Sequence, residues 1–322
     1  MKLGVFAVLY GSQPLKDVLT KLKGMGSETV EIGAGGYPGK GHCDPKALLA
    51  DPAKLAEFQK TIADSGLTVS ALSVHGNPVH PDAAAAKSFD EDFRDACALA
   101  GKIGVDTIIT FSGCPGDHPG AKYPNWVTCP WPGDFLEVLE YQWKDVLIPY
   151  WKDAAAYAKS CGVTKIALEM HPGFCVYNPE SLLKLRAAVG DIMGANFDPS
   201  HLVWQGMDIP ATIRMLKGAI HHFHAKDVRV DPANTAKTGV LDVKHYGDEL
   251  NRSWLFRTVG YGHGEDWWRN VFSELQLAGY SGAVSIEHED SFMSLDEGLE
   301  KSISFLRDVI IRDDKPGKMH WA

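Results

Sequence analysis

The segment Lys165-Ile166-Ala167-Leu168-Glu169-Met170-His171-Pro172 decides how this chain is read. A short apolar run without period-two alternation is the pattern of a strand covered on both faces. Here that run stops at a carboxylate, and a proline follows in the loop. The same grammar recurs downstream in Asn196-Phe197-Asp198-Pro199-Ser200-His201, His222-Phe223-His224-Ala225-Lys226-Asp227 and Ser285-Ile286-Glu287-His288-Glu289-Asp290. Each run ends at a carboxylate or a histidine. Upstream, apolar runs at 3–8, 29–32, 69–74 and 107–111 join those at 165–169, 195–198, 219–224 and 282–287 to give eight strand candidates.

Helical segments separate the strands. Asp51-Pro52 and Asn178-Pro179 place an N-cap residue before a first-turn proline. Ser88 with Glu91, and Ser294 with Glu297, have capping-box spacing. Leu295, Leu299, Ile303, Leu306 and Ile310 form one apolar helical stripe. Gly24, Gly26, Gly66, Gly104 and Gly162 stand where helices stop. Eight strand–helix units in 322 residues predict an α/β fold, a (β/α)8 TIM barrel forming a single domain over residues 1–322. The first turn, Val8-Leu9-Tyr10-Gly11-Ser12, lacks the GxGxxG of a doubly wound sheet. Two connections are long, from 112 to about 143 after strand four and from 227 to about 266 after strand seven. The first carries Tyr123, Trp126 and Trp131 among several prolines. Both follow strands, so both are expected on the catalytic face. The tail, 313–322, is expected to pack on the surface or against a partner.

Composition narrows the function. The chain is 45% hydrophobic and 23% charged with a net charge of -9, which disfavours nucleic acid as a partner. No apolar run approaches the ~18 residues of a membrane span. The N-terminal apolar run is too short for a signal peptide. Six cysteines without a CxxC pair read as free thiols of a cytoplasmic protein.

In a parallel barrel the C-terminal strand ends surround one axis, so Glu169, Asp198, His224 and Glu287 converge. Three carboxylates and an imidazole at one point call for a cation. Mixed oxygen and nitrogen donors suit one divalent ion, Mn²⁺ first, with Mg²⁺, Co²⁺ or Zn²⁺ as alternatives. Open coordination positions would take substrate oxygens and polarise a carbonyl. His75, at the end of the third strand, is expected to face the pocket and contact substrate, whereas His80 is farther into its loop and structural. Lys226 and Asp227 are either a salt-bridged support for His224 or substrate contacts. Arg257, before the turn Gly260-Tyr261-Gly262, and Arg229 are candidates for a sugar hydroxyl or phosphate. Trp126, Trp131, Trp204 and Trp254 are candidates for stacking on a ring.

The chain resembles the sugar phosphate isomerase/epimerase family, the xylose-isomerase-like barrels that also include inosose dehydratase and endonuclease IV. The resemblance rests on the four strand-end motifs above and on Gly260-Tyr261-Gly262-His263-Gly264-Glu265-Asp266-Trp267. It covers the second half of the chain; the first half matches in strand rhythm, with Glu31 after strand two and His75 after strand three. The resemblance implies that Glu169, Asp198, His224 and Glu287 bind the metal. It also implies that Glu169 and Glu287 double as the acid/base pair, and that His201, in its Asp-x-x-His spacing, binds substrate beside His171. Alternatively one glutamate only ligates, and His201 or His171 is the base. The implied activity is a sugar or keto-sugar isomerase or epimerase. The alternative is a lyase resembling inosose dehydratase or the C-glycoside deglycosidases. An endonuclease IV-like site would need more metals and histidines, but the fourth strand ends Thr110-Phe111-Ser112-Gly113. The family also implies a homo-oligomer, possibly with a partner subunit. No glycine-rich phosphate cradle is evident, which favours an unphosphorylated sugar.

Overall fold

The apolar runs become the staves of a closed barrel. The computed structural model describes residues 1–313 and 321. The tail expected at 313–322 therefore lies outside the described residues, apart from Asp313 and Trp321. In chain order the strands are β1 (Lys2–Phe6), β2 (Thr29–Gly33), β3 (Thr68–Ser73), β4 (Thr107–Thr110), β5 (Lys165–Glu169), β6 (Met193–Phe197), β7 (Ile220–Ala225), β8 (Asp227–Val230), β9 (Trp254–Arg257) and β10 (Ala283–Ile286). The barrel order is β1-β10-β7-β6-β5-β4-β3-β2. It closes through the parallel pairing of β1 with β2. The fold is a (β/α)8 TIM barrel, as expected. β8 and β9 stand apart as an antiparallel ribbon.

Alternation along the strands decides what enters the barrel. On β5, Ile166 and Leu168 join the large core, while Ala167 belongs to a separate small cluster with Ala71 and Ile109. Glu169 shares the face of Ala167. By the same rule Glu31, Ser73, Asn196, His222, His224 and Ser285 turn inward, because their neighbours Val30, Ile32, Leu72, Ala195, Phe197, Phe223, Val284 and Ile286 lie in the large core. The interior above the Ala71–Ile109–Ala167 layer is thus polar, where barrels of this kind are commonly filled with branched aliphatic residues. Register shifts interrupt the ladders at Val30/Glu31 and Ala195/Asn196. Both sit at inward polar residues, where irregularities often re-aim a side chain.

The expected helix starts are borne out at Asp51, Asn178 and Ser294. Asp51 accepts from the Ala53 and Lys54 amides, Asn178 and Ser181 cap reciprocally, and Ser294 accepts from the Glu297 amide. The Ser88–Glu91 reading is corrected. That helix spans Ala83–Ile103 and is capped at Asp82, because the alanines that open it are strong helix formers. The connection after β4 is also shorter than expected. A helix begins at Asp134 and runs through a π turn (Gln142–Leu147) into Ile148–Ser160. The prolines and tryptophans ahead of it masked its apolar stripe of Leu136, Leu139 and Trp143. The connection after β7 holds β8, a short helix (Pro232–Thr238) and β9.

Trp151 fastens the β4 connection to this frame. It is fully buried, packs edge-on against Phe93, and donates its indole N–H to the Ser112 carbonyl at 2.9 Å. Ser112 Oγ in turn accepts from the Val176 amide at 2.9 Å. Trp151→Phe, which keeps the ring but orphans the Ser112 carbonyl, is expected to lower stability by about 1–3 kcal/mol. Trp151→Ala is expected to cost about 3–5 kcal/mol. Chemical unfolding of the two variants should reproduce that order.

Candidate metal centre

The four expected ligands do meet. Glu169 ends β5, His224 lies one residue before the end of β7, and Asp198 and Glu287 follow β6 and β10 directly. One donor atom from each lies within 4.8 Å of the others. His224 Nδ1 is 3.4 Å from Glu169 Oε2 and 3.3 Å from Glu287 Oε2. Asp198 opens a short helix and uses Oδ1 to cap the Ser200 amide at 2.8 Å. Its Oδ2 is left for the cluster.

The donor set fits a divalent cation. Asp198 Oδ2 and His224 Nδ1 are buried without a hydrogen-bond partner among the described residues. Burial pushes the Asp198 carboxyl up to about 7 against the pull of Lys226, and the Glu169 and Glu287 charges add to the rise. A cation shared by the four groups gives both orphaned atoms a partner and removes that stress. Glu169 is different. Burial opposes its ionisation, but contacts from His201, His224 and His75 hold it well below the usual carboxylate range.

Around the ligands stands a second set of residues. Glu31, wholly buried, takes His224 Nε2 at 2.9 Å and Ser73 Oγ at 2.5 Å. Burial disfavours its charge, yet the His224 contact brings it down to about 2. An ionised Glu31 fixes the proton of His224 on Nε2 and turns Nδ1 toward the cation. Asn196 Nδ2 donates to Glu169 Oε2 at 3.2 Å, and its Oδ1 lies 3.0 Å from His222 Nδ1. Lys226 is buried with Nζ 3.3 Å from Asp198, 2.9 Å from Glu287 and 2.8 Å from Glu289. Burial alone would discharge it, but Glu287 and Glu289 keep it firmly protonated.

The expected substrate-binding residues fall into two groups. His75 Nε2 lies 3.1 Å from Glu169 Oε2, and His201 Nε2 lies 3.2 Å from Glu169 Oε1. His171 packs against His201 with ring centroids 4.1 Å apart. Donor atoms of Glu169, His171 and His201 also lie within 4.8 Å of one another. Burial lowers both histidines, His201 to about 3, so both imidazoles are neutral. Arg257 belongs to the other group. Its Nε is held by Asp290 at 3.1 Å and its guanidinium lies over Phe292. Lys226 and Asp227 do not act as a pair. Asp227 binds the amides of Gly260, Gly262 and His263 at 3.0–3.1 Å, so it shapes the glycine turn. A Cβ on Gly262 would fall 2.4 Å from the Asp227 carboxylate, which is why glycine stands there. His80 caps its own loop through the Asp82 amide.

Glu31, Asn196 and Glu289 were missed as site residues. Glu31, expected after the second strand, instead sits at the middle of β2, so the strand-end rule that selected the candidate ligands passes over it. Asn196 carried the signal of an amide inside a barrel strand.

Comparison with known proteins agrees with this architecture. The description "Xylose isomerase-like TIM barrel" belongs to the family model that matches residues 19–309, and the chain belongs to that family. It is 40% identical over 312 residues to the uncharacterized protein YfiH of Bacillus subtilis (strain 168), covering 96% of this chain and 99% of that one. Among solved structures, a D-tagatose 3-epimerase-like protein superposes with a TM-score of 0.65 at 20% identity, covering 96% of this chain and 97% of that one. The IolI protein with a bound zinc atom superposes with a TM-score of 0.64 at 18% identity, covering 96% and 98%. All six cysteines are free. No helix among the described residues is long and apolar enough to cross a membrane.

If Glu31 sets the orientation of His224, Glu31→Gln should weaken divalent-metal affinity by about 10–100-fold while the fold persists. Metal titration with circular dichroism as the control checks this.

Proposed function

We propose that the chain is a divalent-metal-dependent isomerase or epimerase of a sugar or keto-sugar, acting by proton abstraction beside a carbonyl. Mn²⁺ is the preferred ion, with Mg²⁺, Co²⁺ and Zn²⁺ as alternatives. One observation carries the reading. Glu169 and Glu287 belong to one cation-binding group, and both line a cavity of about 230 Å³ together with His75 and Glu289. Two carboxylates facing one small cavity are suited to removing a proton from carbon and returning it.

The cation, when bound by Glu169, Asp198, His224 and Glu287, supplies Lewis acidity toward a substrate carbonyl. The chain does the rest. His75, His201 and Asn196 fix both oxygens of Glu169, so its carboxylate meets the substrate in one orientation. Lys226 holds Glu287 and offers a buried positive charge close to where enolate charge develops. The aromatic rings of Phe6, Tyr37 and Phe111 line the same cavity and exclude water from the reacting carbon.

A second reading, elimination of a group beside the carbonyl, is favoured by the neutral His171–His201 pair next to Glu169. An imidazole N–H there is suited to hydrogen-bond a departing oxygen.

Two measurements test the proposal. Metal analysis should find about one divalent ion per wild-type chain and far less in Glu169→Gln. Wild-type protein that stays metal-free under saturating Mn²⁺ overturns it. Incubation with ketoses in D₂O should place deuterium beside the carbonyl, and Glu169→Gln should slow that by about 10²–10⁴-fold. Loss of water or an alcohol in place of exchange selects the elimination reading.

A further inference from the structure

A second cavity, of about 370 Å³, opens beside the first, and its character is different. Trp126, Trp204, Trp254, Leu241, Val243 and Tyr246 line it, together with His171 and His201. Its inner wall is rigid. Trp204 and Trp254 stack with centroids 4.7 Å apart at 6°. Tyr246 is held against Phe256, and the Arg252 guanidinium lies 4.3 Å over the Tyr246 ring. The outer wall is the tip of the β8–β9 connection, where Leu241 is 65% and Val243 100% exposed. Asp242, between them, ties that tip to β9 through the Ser253 amide at 2.7 Å. Apolar side chains exposed at the rim of an aromatic cavity are the usual marks of a ligand site.

Unpaired polar atoms lie behind its walls. The indole N–H groups of Trp126 and Trp204 and Nδ1 of His201 are buried with no hydrogen-bond partner among the described residues. Trp204 and His201 are 5% and 1% exposed. An occupant with a flat apolar body matches the aromatic walls. The two cavities meet at His201, which lines this one and lies 3.2 Å from Glu169, a wall of the other.

We propose that this cavity is a subsite for an aromatic substituent, so that the substrate is the keto form of an aryl glycoside and not a free monosaccharide. This rests on the sugar-enzyme reading above and specifies its substrate class. The sugar occupies the cavity over Glu169 and Glu287, the aromatic group lies among Trp126, Trp204 and Tyr246, and the bond between them crosses His171 and His201.

Calorimetric titration of Mn²⁺-loaded protein with matched methyl and phenyl glycosides of glucose, galactose and mannose, each oxidised to a ring ketone, tests this. For at least one sugar the phenyl glycoside should bind about tenfold tighter than its methyl counterpart, the contribution of one well-packed ring. That ratio should fall toward one in Trp126→Ala and in Val243→Asp. Because Val243 is fully exposed, its substitution leaves the core untouched. Equal binding of methyl and phenyl glycosides by the wild type overturns the subsite alone, as does a ratio that survives both substitutions. Failure of every glycoside to bind overturns the subsite as well, while deuterium exchange into ketoses separately decides the sugar-enzyme reading.

Discussion

Glu31, Glu169, Asp198, Glu287 and Glu289 are gathered at one end of one barrel, and their mutual repulsion governs the residues around them. Only Glu289 is substantially exposed; the other four are held in a setting of low effective dielectric. Like charges a few ångströms apart there interact far more strongly than in water. Within the cluster the answering groups are the Lys226 ammonium and the Nε2–H of His224, which faces Glu31. They do not suffice, and the deficit falls on Asp198, whose carboxyl is the one driven up toward neutrality. A divalent cation would supply the missing charge between Asp198 Oδ2 and His224 Nδ1.

The polar interior follows from this. Groups from different strands hold one another: Glu31 of β2 holds His224, Asn196 of β6 holds Glu169, and Ser73 of β3 holds Glu31. Glu169 is also held by His75 from the connection after β3. The contacts form a continuous network, in which each bond polarises the next and each partner is difficult to remove singly. A barrel filled with aliphatic side chains would be simpler to fold. The inward face here trades that packing for orientation, the usual bargain at functional sites.

The fold was legible because its signal is repeated. Eight buried strands, each followed by a helix, over-determine a barrel even when single boundaries slip by a residue or two. The convergence of the four candidate ligands was legible for a related reason: the barrel turns strand-end positions into spatial neighbours. What the sequence did not reveal was direction. Lys226 and Asp227 are adjacent and oppositely charged, which invites pairing, yet successive residues point to opposite sides. Lys226 therefore enters the carboxylate cluster, and Asp227 turns to the glycine loop. Arg257 looked free for substrate because its partner, Asp290, lies beyond a different strand. The start of the 134–160 helical segment was hidden by neighbouring prolines, whose local message is loop. Contacts between distant segments are fixed by tertiary packing, and local pattern does not encode them.

The connections after β4 and β7 wall the aromatic cavity beside the carboxylate cluster. Trp126 comes from the first, and Leu241, Val243 and Tyr246 from the second. Neither connection behaves as a loose flap. The first is fastened by Trp151 at Ser112 and by Gln142, whose amide donates to the carbonyls of Pro115, Gly116 and Asn125. The second is built as a ribbon stiffened by Asp242, Arg252 and the Trp204–Trp254 stack. Preformed walls spend little ordering entropy on binding, so their shape is available as selectivity. An aromatic cavity built this rigidly beside the carboxylates selects for ligands that fill both sites together, and a monosaccharide alone leaves its apolar walls uncovered.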